Sequence, residues 1–144
     1  MKNGKGAGRY LRVVLIANGT GDIVLGALML FLPGLLARSL GLRLSDDLVY
    51  VAGGWGTAAF SFGVLRLSAG IFASADVGWF VGAFGIIEGI VLTAFGLVIP
   101  VTTSLAFGQV WLSTVFAAVF AVAYGIAFLW RRISTFKQGL EGRT

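Results

Sequence analysis

Apolar residues in this chain fall in long runs, and polar ones gather between them. No charged residue occurs between Asp22 and Arg38, between Asp47 and Arg66, or between Glu88 and Arg131. A hydrocarbon core about 30 Å thick takes ~20 mostly apolar residues per helix. Four segments meet that length, at about 11–32, 47–69, 77–99 and 107–130. The fold expected from them is all-α: an integral-membrane four-helix bundle running up-down-up-down, a single transmembrane domain over 1–144.

The segment ends carry physical markers. Ser45, followed by Asp46 and Asp47, predicts an N-cap with negative charge in the first turn of the second segment. Ser104 offers the same for the fourth. Pro33 and Pro100 are expected to end the first and third segments. The stretch "GLLARSLGLRL" between Pro33 and Ser45 reads either as a short interfacial helix or as a plain loop.

Lipid is as apolar as leucine, so helices in a bilayer associate where small residues let their backbones approach. The 22 glycines fall in stripes suited to this. Gly56 and Gly63 mark one face of the second segment, and Gly78, Gly82, Gly85 and Gly89 one face of the third. Gly125 continues a line from Ala117 and Ala121 in the fourth. Gly26 lies one turn beyond Asp22 and two beyond Asn18 in the first. All are expected to pack helix on helix. Gly19 and Gly21, flanking Thr20 beside Asp22, are candidates for local loosening of the first helix. A shift of 66 residues places Asp22 on Glu88 and Arg66 on Arg132, which raises the reading of a duplicated two-helix hairpin.

Composition narrows the chemistry. Hydrophobic residues make up 58% of the chain and charged residues 12%, against roughly a quarter charged in a soluble domain. Cysteine and histidine are both absent, so thiol chemistry and imidazole-based catalysis or ligation are unavailable. No metal site, cofactor or enzymatic activity is expected. The basic residues flank the first and last segments: Lys2, Lys5, Arg9 and Arg12 before, and Arg131, Arg132, Lys137 and Arg143 after. By the positive-inside rule both termini are cytoplasmic, in a prokaryotic plasma membrane. The first segment has no small-x-small cleavage site before Pro33, so it reads as a retained helix. The net charge of +5 is then a topology signal and an affinity for anionic headgroups, not a nucleic-acid surface.

Two acids break the apolar runs. At 1.5 Å per residue Asp22 lies roughly 18 Å from Tyr10, and Glu88 roughly 16 Å from Val77, both near the bilayer midplane. An acid there costs about 2.5–3.5 kcal/mol to insert, so it should face inward and find a partner. Asp22 and Glu88 are expected to meet and share a proton, with Asn18 as a further partner. Arg66 either snorkels to the cytoplasmic interface or reaches inward toward Asn18 and an acid. The four residues form either a structural hydrogen-bond cluster or a binding site for a proton, a cation or an amphiphile.

The stretch "YLRVVLIANGTGDIVLGALMLFLPGLLARSLGL" is similar to the first helix and loop of small bacterial four-helix membrane proteins of the DoxX-like kind. Those open on a Leu-Arg pair, then run a glycine-interrupted helix to a proline after an aromatic. The resemblance covers Leu11 to about Leu42 and brings no catalytic motif. It implies a small membrane protein serving as an accessory or scaffold subunit of a larger complex, with a membrane-protein partner or a second copy alongside. The alternative expectation is a small proton- or cation-coupled transporter or amphiphile-binding protein that uses the intramembrane acids.

Overall fold

The computed structural model describes residues 3–141, with side-chain surroundings from Gly6 to Lys137. The chain forms α1 (Asn3–Phe31), α2 (Pro33–Ser39), α3 (Asp46–Ile71), α4 (Ala75–Thr102) and α5 (Phe107–Glu141). All except α2 are long and apolar enough to cross a membrane. The chain is thus a small polytopic membrane protein built as an all-α bundle. Tyr10 of α1 lies beside Trp130 of α5, 6.1 Å between ring centres. At the other end the Gln109 side chain donates to the Gly41 carbonyl at 2.9 Å. The long helices therefore alternate in direction.

The helices begin and end largely where local chemistry asks. Ser45 caps α3, its hydroxyl accepting from the Leu48 N–H at 3.2 Å. Pro33 opens α2 at its first turn, where a missing N–H costs nothing. Two boundary expectations fail. Pro100 lies inside α4, which runs on to Thr102; a lost hydrogen bond in the last turn is too small a defect to stop a helix held on its neighbour. Ser104 lies ahead of α5, whose start is instead tied by the Ala106 N–H donating to Gln109 Oε1 at 2.9 Å.

Packing is uneven around the bundle. α1 packs most closely on α3 and α4 on α5; α1 also touches α5, while α3 and α4 meet only sparsely. The α1–α3 seam is made of glycine. A Cβ at Gly63 would stand 2.7 Å from the Gly19 carbonyl oxygen, and one at Gly26 would stand 2.7 Å from that of Gly56. A Cβ at Gly56 would in turn meet Met29 at 2.8 Å. Gly19 thus serves close approach in an unbroken α1, not a loosened one. On α4, Gly89 rests on the Ala117 carbonyl and Ala121, and Gly82 fits under Leu11 of α1. Gly78 has only ordinary contact with Leu15, at 3.7 Å. Gly125 is a correction: among the described residues nothing lies within 4 Å of the Cβ it lacks, so it makes no close helix contact there. The stripe in α5 ends at Ala121, and the next inward residue of that face is the large ring of Tyr124.

The tight core gathers at one end, around Leu11, Leu15, Trp79, Tyr124 and Ala127. Trp79 meets Phe128 edge to face at 4.9 Å and lies under the Arg131 guanidinium at 4.5 Å. Toward the opposite end the α1–α3 and α4–α5 pairs stay closed within themselves but stand apart from each other around a cavity. Large apolar side chains such as Phe80, Val91, Val119 and Leu129 point outward, as a lipid-facing surface requires.

Candidate functional site

The site is assembled by the glycine seam. With Gly63 and Gly70 in backbone contact with α1, the stem of Arg66 is pressed onto Gly19. Its guanidinium must then stay inside the bundle. Arg66 is 4% exposed and ion-paired to Asp22 of α1 through Nη1 and to Glu88 of α4 through Nη2. The Phe62 ring lies 5.8 Å from the guanidinium carbon. Of the two alternatives open for Arg66, inward reach is the one adopted.

A second arm of the network runs to α5. Asn18 Nδ2 donates to Asp22 Oδ2 at 3.2 Å, and Tyr124 donates its hydroxyl proton to Asn18 Oδ1 at 3.0 Å. Gly85 makes this possible, since a Cβ there would come within 2.5 Å of the Tyr124 ring. Asn18, Asp22, Arg66 and Tyr124 are all buried, and the Glu88 side chain keeps 32% of its surface exposed. One connected polar cluster thus joins all four long helices.

The expectation that Asp22 and Glu88 pair directly and share a proton is corrected by this arrangement. Arg66 stands between them and binds both, so each carboxylate meets a guanidinium and not the other acid. The physical reason is charge: an opposite charge within reach stabilises two carboxylates better than a shared proton. Asn18 is the partner of Asp22 that its one-turn spacing predicts. Under the 66-residue shift the two acids share one partner, since Asp22 and Glu88 both pair with Arg66, whereas Arg132, the counterpart of Arg66, is exposed. Tyr124 was missed as a network member, since an aromatic at helical spacing usually signals packing. The hydroxyls of Thr20, Thr57, Thr93, Ser113 and Thr114 turn back on carbonyls of their own helices and take no part.

The cluster forms the floor of a cavity of about 430 Å³. All four long helices line it, and it runs from Asn18 to Met29 along α1, roughly 16 Å at 1.5 Å per residue. Apart from the floor and Ser113 its walls are apolar and aromatic, with Phe62, Phe116 and Phe120 low and Trp55, Phe95 and Ile99 high. Trp55 and Phe95 are 58% and 60% exposed although they line it. They stand on α3 and α4, the pair that barely touches, so the cavity opens sideways between those helices. Such a space accepts an apolar body from the bilayer and presents one charged, hydrogen-bonding end to it.

Comparison with known proteins finds no match to a family model, to a curated protein or to a solved structure.

Proposed function

We propose that this protein binds an amphiphile inside the membrane, drawing it between α3 and α4 so that its polar end meets the Asp22–Arg66–Glu88 cluster. The observation that carries this reading is the cavity: about 430 Å³, apolar along its length, with charged groups at one end only. A space of this kind, open to the bilayer, is filled by an apolar chain and not left empty, because unfilled volume forfeits dispersion contacts. The accessory-subunit expectation rests on small size and the lack of a reactive group, and the cavity favours binding over it. The setting proposed is a prokaryotic plasma membrane with both termini cytoplasmic, as the flanking basic residues imply.

Purification in a mild maltoside detergent, followed by native mass spectrometry and lipid extraction, tests the proposal. An amphiphile retained by the wild type and lost in Leu92→Trp, which fills the cavity wall, is the expected result. Equal retention by both proteins, or a large protein complex with no bound amphiphile, would overturn it.

A further inference from the structure

Charge at the floor of the cavity specifies the head it takes. We infer that the ligand is an amphiphilic amine, bound as its protonated ammonium ion; this rests on the binding function proposed above. The charged residues lining the cavity are Asp22, Glu88 and Arg66, two carboxylates against one guanidinium, a formal charge of −1. Asp22 Oδ2 accepts from both Asn18 and Arg66, and Glu88 Oε2 is engaged by Arg66. Among the described residues no donor is bonded to Asp22 Oδ1 or Glu88 Oε1. The hydroxyl proton of Tyr124 is spent on Asn18, inside the network.

Beside the remaining N–H groups of Arg66, the floor therefore offers a ligand acceptor oxygens and a formal negative charge. Unbalanced charge near the midplane is costly, and a monovalent cation at this place completes the balance. An ammonium head supplies it with N–H donors to match the free oxygens. A carboxylate or phosphate head would add a second negative charge, and an alcohol would supply no charge, leaving the first to be neutralised by a proton. The walls agree with the floor. Phe62, Phe116 and Phe120 stand next above it, and ring faces attract an ammonium ion while accommodating the chain attached to it. Glu88, the more exposed acid, is the group the head meets first.

Three probes that differ only in the head test this: decylammonium, decanol and decanoate. Each is titrated at neutral pH into the full chain in zwitterionic nanodiscs and followed by calorimetry, with Leu92→Trp nanodiscs, measured in the same way, as the partition blank. Decylammonium is expected to bind the wild type at least about tenfold more tightly than decanol, a difference of about 1.4 kcal/mol, and decanoate more weakly than either. Glu88→Gln should reduce the ammonium preference to less than about threefold, since it removes the uncompensated charge. Decanol or decanoate binding as tightly as decylammonium would overturn the amine assignment while leaving the amphiphile function standing. An undiminished preference in Glu88→Gln would also overturn it. Binding of none of the three beyond the blank would remove the binding function itself, and the amine assignment with it.

Discussion

Arg66→Met removes a positive charge from the centre of the bundle and leaves most of the apolar stem in place. Arg66 is 4% exposed, and two carboxylates depend on it. At about 4 Å and an effective dielectric constant near 20, each ion pair has a gross attraction of about 4 kcal/mol. Desolvation of the three charges offsets much of that, so the pairs add little net stability when intact. Breaking them is another matter, because a buried charge left alone costs about 3–5 kcal/mol. Asp22, 8% exposed, bears most of this loss; Glu88, with a third of its side chain open to the cavity, recovers part by solvation. Arg66→Met is therefore expected to lose about 3–5 kcal/mol. The triple variant Arg66→Met/Asp22→Asn/Glu88→Gln carries no charge to strand and should return to within about 2 kcal/mol of the wild type. Reversible unfolding in mixed maltoside–dodecyl sulfate micelles, followed by circular dichroism, measures both. A triple variant no more stable than Arg66→Met would refute the claim that stranded charge is the cause. An Arg66→Met protein within about 1 kcal/mol of wild type would refute the burial of the ion pairs altogether.

Gly63→Leu should prevent α1 and α3 from closing and abolish folding in detergent, whereas Gly125→Leu should change the melting temperature little; equal damage would sink the assignment of the seam. Tyr124→Phe deletes one hydroxyl and leaves Asn18 Oδ1 without its donor, for an expected loss of about 1–3 kcal/mol with no change in helix content. In cells, a cysteine at Ser104 should react with an impermeant maleimide and one at Ser74 should not; the reverse pattern would invert the proposed orientation.

Much of this architecture is legible from the residues alone, and its failures are informative. Four spans follow from charge-free runs, because exclusion of charge from hydrocarbon is a property of each segment by itself. Ser45 is a legible cap because its partner is only three residues away. Pro100 misleads because its local defect is outweighed by packing of α4 on α5. Asp22 and Asn18 announce themselves as polar residues in apolar surroundings, one turn apart on one helix. The role of Arg66 is not readable in this way, since inward reach and snorkelling have the same sequence and differ only in how closely Gly19 and Gly63 let two backbones approach. Gly125 shows the same limit: it continues the line of two packed alanines, and among the described residues nothing meets it. The cavity has no signature in the sequence, because it is the space left where α3 and α4 meet only sparsely.

The division of the bundle into two closely packed hairpins bears on how the protein is made. Asp22 and Arg66 both belong to the first hairpin, α1 with α3. As the chain emerges from its N-terminus, that hairpin brings an acid and its counter-ion into the bilayer together, and their charges cancel at the depth where either alone is most costly. The second hairpin, α4 with α5, carries Glu88 and no basic residue between it and Arg131. Its carboxylate has no counter-ion at that depth until α4 and α5 dock against the pair already formed. The first hairpin is thus electrically self-sufficient during biogenesis, and the second is completed only by assembly upon it.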